Sequence, residues 1–315
     1  MPRQRRLQLV LVVALLLAAG AGASAVHSAG QQQSTCLTAR ATIAGTPGND
    51  VLNGTPRRDV IVGEAGDDVI NGGGGVDLIC GGEGNDAIAG AEGTDVVSGD
   101  GGNDRIDGGP AEDLVVYAFA PAAVNANLTT GAAAGWGTDA LANIEGVMGS
   151  PHSDSLTGNA AANVLSGDAG NDAISAGAGF DIVRGGGGND TLDGGPGPDL
   201  ASYASAPRGI VANLRKGRAR GFGRDRLLGI EALVGSNAGD VLIGDSGDNV
   251  LVGFGGKDLL AGAGGRDRLE GTRGNDELRG GAGRDRLDGG AGRDVLDGGP
   301  GRDRCREGER QLRCP

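Results

Sequence analysis

The sequence is poor in the large side chains from which a protein of its size usually builds its interior. Aromatic side chains make up 2% of its 315 residues, with one Trp, two Tyr and four Phe. Glycine contributes 66 residues, roughly three times its usual share. These proportions exclude a conventional compact core. They favour an architecture of small repeated units in which the backbone and a bound ligand supply much of the cohesion.

Other absences exclude further classes of protein. Glycine does not recur at every third residue and there are only 11 Pro, so collagen is excluded. Regularly spaced Val, Ile and Leu argue against uniform disorder. The net charge of −13 argues against a nucleic-acid partner. With two His, no HExxH and no GxSxG, the sequence offers neither zinc-protease nor serine-hydrolase machinery.

The N-terminal segment has the pattern of an export signal. Arg3, Arg5 and Arg6 precede an apolar run over Leu7–Ala19, and a small-residue cleavage motif ends at Ala25. This order predicts a secretory signal peptide over residues 1–25. An uncleaved membrane anchor is the alternative, although the run is short for a span. No second apolar stretch follows, so we expect a secreted protein with no membrane span after cleavage.

A nine-residue repeat organises most of the chain. Units such as GGEGNDAIA and GGGGNDTLD follow one another in three blocks, residues 45–116, 149–202 and 235–306. In the first block the sixth position is always Asp and the eighth is always aliphatic. Fixed-period repeats of this kind indicate a solenoid.

Two spacers separate the blocks and resemble each other. Residues 117–148 and 203–234 align without gaps at an offset of 86 residues. Residues 26–44 and 307–315 are left as N-terminal and C-terminal caps. The spacers hold most of the aromatic residues: Tyr117, Phe119, Trp136, Tyr203 and Phe222. We expect these side chains to fill the interior where the repeat lapses, with a sugar-binding platform as the alternative.

The repeat also has a physical rationale. Four Gly-rich positions can form a tight turn, and the residues after them a short strand whose eighth side chain faces inward. Stacked turns would then place the Asp side chains in a ladder with a spacing of about 4.7–4.9 Å. Carboxylates so close together repel one another. Calcium removes this repulsion and accepts both carboxylate and carbonyl oxygens as ligands.

The units resemble the GGxGxDxUx repeat of the RTX (repeats-in-toxin, haemolysin-type) calcium-binding family, where U is a large aliphatic residue. The resemblance implies an all-β fold, a parallel β-roll or β-helix solenoid with two nonapeptides per turn. It also implies multiple Ca²⁺ ions as cofactors, each shared by units two apart. The predicted metal ligands are Asp50, Asp59, Asp68, Asp77, Asp86, Asp95, Asp104, Asp113, Asp172, Asp181, Asp190, Asp199, Asp258, Asp267, Asp276, Asp285 and Asp294.

Several units depart from the family pattern. Arg57 replaces a turn glycine, and Asn163 and Asn249 replace the ladder Asp. The units GSPHSDSLT and GSNAGDVLI, which restart the second and third blocks, lack the Gly-rich turn. We expect weak or absent calcium binding at these edges. The N-terminal signal also departs from the C-terminal export signal of many family members, so the toxin association is in doubt.

The blocks differ in charge. Block one has 15 acidic and 3 basic residues, whereas block three has 13 and 11. The excess comes largely from arginines beside the ladder, such as Arg266 and Arg268. We expect these side chains to form a solvated face. Partial replacement of calcium by arginine, and docking of a polyanion such as a cell-wall polymer on block three, are the alternatives.

The four cysteines all follow the predicted signal peptide. An even number in an exported chain indicates disulfides, and we expect the pairs Cys36–Cys80 and Cys305–Cys314. A zinc site is the competing interpretation, but the sequence has no CxxC motif and few histidines.

These features predict a secreted, non-enzymatic calcium-binding protein. We expect its folding to be coupled to Ca²⁺ binding and its role to be structural or adhesive at the cell exterior. A cell-wall or extracellular polysaccharide is a candidate partner. The alternative is a polysaccharide-modifying enzyme of the lyase or epimerase kind on a solenoid scaffold. Its solvent-facing catalytic acid would come from Asp139, Glu145, Asp225 or Glu231.

Overall fold

The computed structural model describes residues 35–314, and nearly every regular element in them is a short β-strand. The all-β prediction is therefore confirmed. The predicted signal peptide and the first part of the N-terminal cap lie outside the described residues. The helical elements of residues 35–314 comprise a single 3₁₀ turn, Leu214–Lys216, and none is long and apolar enough to cross a membrane.

Strands of two to seven residues follow the nonapeptides along the chain. The N-terminal cap and the first block contain β1 (Thr35–Cys36), β2 (Ala39–Arg40), β3 (Ile43–Ala44), β4 (Val51–Asn53), β5 (Val60–Ala65), β6 (Val69–Asn71), β7 (Gly74–Gly75), β8 (Leu78–Glu83), β9 (Ala87–Ala89), β10 (Glu92–Gly93), β11 (Val96–Gly101), β12 (Arg105–Asp107) and β13 (Leu114–Val116). The first spacer and the second block contain β14 (Asn125–Asn127), β15 (Ala132–Ala134), β16 (Thr138–Ala142), β17 (Gly146–Met148), β18 (Ser155–Thr157), β19 (Val164–Ser166), β20 (Ala173–Ser175), β21 (Ile182–Arg184), β22 (Thr191–Asp193) and β23 (Leu200–Ser202). The remainder contains β24 (Val211–Asn213), β25 (Arg218–Arg220), β26 (Arg224–Leu228), β27 (Ala232–Val234), β28 (Val241–Ile243), β29 (Val250–Gly256), β30 (Leu259–Gly265), β31 (Arg268–Gly274), β32 (Glu277–Gly283), β33 (Arg286–Asp288), β34 (Ala291–Gly292), β35 (Val295–Asp297), β36 (Arg304–Arg306) and β37 (Arg310–Leu312).

The strands form two long, mainly parallel sheets, and successive nonapeptides alternate between them. Ile61 in β5 pairs with Ile79 in β8, whereas Ile70 in β6 pairs with Ile88 in β9. Within the blocks each residue thus lies beside the residue 18 positions later. This register confirms the parallel β-roll with two nonapeptides per turn.

The core consists of the eighth residue of successive units. These side chains face inward from both sheets and are at most 3% exposed. They are Ile61, Ile70, Ile79, Ile88, Val97, Ile106, Val115, Leu156, Leu165, Ile174, Val183, Leu192, Ala201, Leu242, Leu251, Leu260, Leu269, Leu278, Leu287 and Leu296. A single column of aliphatic side chains therefore replaces the aromatic core that the composition excludes.

Each spacer continues the roll and adds two antiparallel strands to one sheet. β12 pairs with β16, which continues through β15 and β14 before β18 resumes the parallel stack. β22 continues in the same way through β26, β25 and β24 to β28. The two spacers thus have the same strand topology.

Most of the spacer aromatics pack inward, as predicted. Tyr117 and Tyr203 are buried, and Trp136 and Phe222 are partly buried against the core. The prediction was wrong for Phe119, which is 54% exposed. Phe119 lies within the turn that the hydrogen bond from the Ala120 amide to the Tyr117 carbonyl closes, so its side chain lies outside the stacked column.

Two disulfides confirm the predicted pairs. Cys36 bonds to Cys80 with a Cα–Cα distance of 5.5 Å, and both sulfurs lie in a small apolar cluster with Val60 and Val62. Cys305 bonds to Cys314 across the C-terminal cap. Residues 35–314 contain no free cysteine, so the zinc interpretation has no thiolate ligands there.

Candidate metal sites

The sixth-position Asp residues form a buried hydrogen-bonded ladder along each edge of the roll. One carboxylate oxygen, Oδ1, accepts a bond from the backbone N–H of the Asp 18 residues earlier. The Asp68 amide donates to Asp86 at 2.8 Å, and the Asp267 amide donates to Asp285 at 2.9 Å. The predicted stacking of carboxylates, two units apart, is therefore present. Each link also holds two successive turns together.

The second carboxylate oxygen, Oδ2, has no hydrogen-bond partner in most of these residues. Isolated buried polar atoms are rare in folded proteins and call for a specific explanation. The buried, unpartnered Oδ2 atoms belong to sixteen residues: Asp68, Asp77, Asp86, Asp95, Asp104, Asp113, Asp172, Asp181, Asp190, Asp199, Asp258, Asp267, Asp276, Asp285, Asp294 and Asp303. The repetition of one unpartnered buried oxygen at one position of the repeat indicates that these oxygens can share one kind of ligand.

Most of these oxygens lie close to a backbone carbonyl oxygen of the following turn. A Cβ placed on Gly63 would lie 2.3 Å from Oδ2 of Asp68 and 2.2 Å from the carbonyl oxygen of Gly81. The same construction on Gly81 brings it 2.2 Å from Oδ2 of Asp86 and 2.8 Å from the Gly99 carbonyl. Carboxylate and carbonyl oxygens that face one small space are the donor set that Ca²⁺ prefers. In fifteen of the sixteen open units a glycine at the first position keeps that space free of a side chain, and the exception is Ala176.

The backbone at the second position of each unit decides whether Oδ2 is free. In the sixteen units with an unpartnered Oδ2, this residue has a positive φ, from 62° at Asp100 to 110° at Gly82. We call these open turns. In the other six units the second residue lacks a positive φ, and its N–H donates to the sixth side chain. We call these capped turns.

The capped turns are the first two units of every block. The Thr46 amide donates to Oδ2 of Asp50 at 2.6 Å, and the Thr55 amide to Asp59 at 2.7 Å. Ser150 and Ser236 cap Asp154 and Asp240 in the same way. In the remaining two capped turns, the backbone amides of the second residues donate to Oδ1 of Asn163 and Asn249. A neutral Asn suffices there because the protein itself supplies the partner.

The open conformation is strained in several units. The second residue is not glycine in seven of them: Glu64, Ala91, Asp100, Asp168, Phe254, Ala263 and Thr272. A left-handed conformation costs a residue with a Cβ roughly 1–2 kcal/mol. Such strain persists where the surrounding structure or a ligand compensates it. It reinforces the indication of a ligand at the open turns.

Burial makes the free carboxylates hard to ionise in the metal-free protein. Loss of hydration is the main cause, and it raises the pKa of Asp104, Asp113 and Asp172 to about 7. The negative charge of ladder neighbours raises these pKa values further, whereas the bond from the preceding Asp amide lowers them. A bound cation would reverse the balance in favour of the charged form.

The ladder ends within each spacer on side chains that the protein satisfies itself. Asp139 accepts the Asp104 amide on Oδ1 and the Tyr117 hydroxyl on Oδ2. Asp225 accepts the Asp190 amide and the Tyr203 hydroxyl in the same manner. On the other edge, Glu145 and Glu231 accept the amides of Asp113 and Asp199.

These contacts bear on the enzymatic alternative. That hypothesis requires a solvent-facing acid that does not belong to the ladder. Asp139 and Asp225 are each only 3% exposed and lie in the ladder. Glu145 and Glu231 bond to the ladder amides, so none of the four candidates meets the requirement.

The structure also distinguishes among the predicted ligands. Asp50 and Asp59 lie in capped turns, whereas the other fifteen predicted residues lie in open turns. Asp303 has an unpartnered Oδ2 and was missed, although it stands at the sixth position of its unit. Also missed was an exposed second ladder at the fifth position, in which the Asn85 amide donates to Asp67 and the Asn103 amide to Asn85.

A cation at an open turn would rely on few side chains. Within residues 35–314 no group of three or more His, Cys, Asp or Glu side chains converges on one point. Most of the ligands must therefore come from turn carbonyls. This arrangement suits Ca²⁺, which accepts backbone oxygens readily and tolerates irregular geometry.

The arginines of block three do not take the place of a cation. Arg266 and Arg268, like Arg284, are exposed. The five ion pairs found within residues 35–314 involve other acids, such as Glu270 and Glu277, and none includes a ladder Asp. The arginines thus form a solvated face, as predicted.

Comparison with protein families agrees with the geometry. The model of the RTX calcium-binding nonapeptide repeat matches residues 44–79, 81–115, 148–183, 172–201, 234–269 and 270–305. The chain belongs to this RTX repeat family. Repeats of the family bind calcium, and the matched segments contain the open turns. A comparison with curated proteins gives no match.

Proposed function

We propose that this RTX protein is an exported calcium-dependent β-roll whose sixteen open turns hold Ca²⁺ and whose six capped turns do not. The observation that carries the proposal is the match between the unpartnered Oδ2 atoms and the positive φ at the second position. The predicted ligands Asp50 and Asp59 are therefore assigned a structural role. Asp303 joins the proposed calcium ligands.

The expected effect of calcium is to make folding possible. Buried carboxylates without a partner are costly, and an acidic, Gly-rich chain loses much entropy on ordering. Bound Ca²⁺ would supply the positive charge and the coordination that these oxygens lack. Because the open turns are absent from the unfolded chain, binding free energy becomes folding free energy.

The proposed setting is outside the cell. The predicted signal peptide, residues 1–25, and the two disulfides support export to an oxidising compartment. Extracellular calcium modules commonly bind with dissociation constants of about 10⁻⁴–10⁻³ M. Such affinities would leave the chain unfolded in the cytosol and fold it after export. A rod of this kind suits a structural or adhesive role.

Paired Asp→Asn substitutions test the assignment of sites. Asp172 lies in an open turn of block two, and Asp154 lies in a capped turn on the same edge. Asn retains one carbonyl oxygen, Oδ1, which can accept an amide bond in both, as the Oδ1 of Asn163 accepts the Asn159 amide. Equilibrium dialysis with ⁴⁵Ca²⁺ should show loss of bound calcium for Asp172→Asn and an unchanged ion count for Asp154→Asn. Equal losses, or none in either variant, would contradict the assignment.

A further inference from the structure

The second spacer differs from the first in charge, although both have the same fold. Residues 203–234 contain seven basic side chains, and residues 117–148 contain none. Four of the seven are arginines on the two antiparallel strands β25 and β26. Their counterparts in β15 and β16, at the offset of 86 residues, are Ala132, Ala134, Thr138 and Ala140.

The four arginines form a compact array on the outer face of the sheet. Arg218 lies directly opposite Arg226 in the register of the two strands. Arg220 lies directly opposite Arg224. Opposed positions are about 5 Å apart, and alternate residues along one strand are about 7 Å apart. All four side chains are exposed, while Ala219 and Asp225 between them face inward.

This arrangement opposes like charges without neutralising them. Within residues 35–314 no carboxylate lies within salt-bridge distance of any of the four guanidinium groups. Directly opposed like charges destabilise a pair of strands. The first spacer shows that the fold does not need them, because Ala132 pairs with Ala140 at the equivalent place. Stabilisation of the fold therefore does not explain why the second spacer has these arginines.

The array lines a groove rather than a flat surface. The groove has a volume of about 1210 Å³, and Lys216 at the end of the 3₁₀ turn adds a further positive charge. Two acids reach its floor. Asp225 already accepts two hydrogen bonds, and Asp190 is a proposed calcium ligand. The accessible charge of the groove is thus positive in a protein of net charge −13.

We propose that this groove, which we call the arginine groove, binds an acidic polysaccharide. Guanidinium groups bind carboxylate, sulfate and phosphate groups through paired N–H donors. An array of charges at intervals of about 5–7 Å suits a chain that carries anionic groups at regular spacing. Among residues 35–314 no aromatic side chain lines the groove, so it lacks the stacking surface that single-stranded nucleic acids require. The remainder of the acidic protein would repel a nucleic acid.

We therefore place the polyanion site on spacer two, and not on block three, where the sequence analysis had placed it as an alternative. In block three the side chains of Arg268 and Arg279 pair with Glu270 and Glu277. Its arginines are thus partly neutralised by neighbours. Those of the groove are not.

The two spacers provide a matched test. The variant R218A/R220A/R224T/R226A copies the residues of the first spacer, so it should fold like the parent. A charge-matched control, R266A/R284A/R293A/R302A, removes four arginines from block three. Binding of the full chain to immobilised dextran sulfate is measured in saturating calcium, with neutral dextran as the reference. Circular dichroism checks that each variant is folded.

We expect the groove variant to lose affinity by about tenfold to a hundredfold, since four exposed charge contacts disappear, and the control to bind like the parent. Adding A132R/A134R/T138R/A140R to the groove variant should restore binding. Equal losses in the groove variant and the control would show non-specific attraction and overturn the proposal. Stronger binding to single-stranded DNA than to dextran sulfate would also overturn it.

Discussion

The hydroxyl of Tyr117 donates a 2.8 Å hydrogen bond to Oδ2 of Asp139. Asp139 continues the ladder beyond Asp104, at the point where the first block gives way to the spacer. In the open turns the equivalent oxygen has no partner within the protein. The tyrosine therefore takes the place that a cation would hold, and the ladder ends without a metal. Tyr203 and Asp225 repeat this arrangement in the second spacer.

Removal of the tyrosine hydroxyl should weaken the ladder end without removing a calcium ion. Tyr203→Phe leaves the buried Oδ2 of Asp225 unsatisfied, which should lower the free energy of unfolding by about 1–3 kcal/mol. Urea denaturation in saturating calcium measures this loss. Phe119→Leu, at an exposed aromatic of the other spacer, should change it by less than about 0.5 kcal/mol. A drop in bound calcium in Tyr203→Phe would contradict the claim that the ladder ends there without a metal.

The stability of the calcium-free roll should fall as the pH rises. Burial raises the folded-state pKa of Asp113 and Asp258 to about 7, whereas an unfolded Asp titrates near pKa 3.9. A raised pKa in an acid means that the folded state binds more protons between these values. Its stabilising contribution is therefore complete below pH of about 4 and is lost as the pH rises to about 7.

Calcium binding should show the opposite pH dependence, since the ion requires ionised carboxylates. The calcium concentration at the folding midpoint should increase as the pH falls from 8 to 6. Far-UV circular dichroism in EDTA from pH 4 to pH 8 and calcium titrations at several pH values test both statements. A β-structure signal in EDTA that increases between pH 4 and pH 7 would contradict the proposed burial of neutral carboxylic acids.

Relief of backbone strain should favour the calcium-bound roll. Ala263 has a φ of 79° at the second position of an open turn, and Ala263→Gly removes the Cβ that makes this conformation costly. The calcium midpoint should fall by an amount that corresponds to about 1 kcal/mol. Ala282→Gly, at an exposed position of β32 without a positive φ, should instead be neutral or slightly destabilising. A gain in both variants would show that strain at Ala263 is not the cause.

The disulfide between Cys36 and Cys80 should lower the calcium requirement of the first block. It spans 44 residues, and closure of such a loop in the unfolded state is worth roughly 4 kcal/mol. The C36S/C80S variant should therefore need more calcium to fold. The C305S/C314S variant loses a disulfide that closes a loop of only 9 residues, so it should have a smaller effect. Equal shifts in the two variants would argue against an effect of loop length.

The roll could be predicted from the sequence because its period is short and local. Asp68 and Asp86 stand 18 residues apart, and the structure bonds one to the other in that register. The inward position of Ile70 and Ile88 follows from the same alternation. Each unit repeats the same pattern, with Asp at the sixth position and an aliphatic residue at the eighth. This pattern alone therefore predicts most of the fold.

The difference between open and capped turns could be predicted only in part. Five of the six capped units are those for which the sequence predicted weak or absent calcium binding, but the backbone conformation that distinguishes them was not predicted. Asp168 and Asp245 occupy the same second position, yet Asp168 has a φ of 76° and Asp245 has no positive φ. The side chain therefore does not decide the conformation. The place of the unit within its block does, because only the first turn of a block lacks a preceding turn of the same block. That dependence is between turns, although Asn163 and Asn249 mark it in two of the six capped units.

The central claim is that calcium folds the roll through its open turns. Far-UV circular dichroism of the chain from Val26 during a calcium titration, with magnesium as a control, tests it most directly. We expect a cooperative change from coil to β-structure with calcium and none with magnesium at the same concentration. A β-structure signal that is already complete in EDTA at pH 8 would contradict it, since the aliphatic column and the disulfides would then suffice.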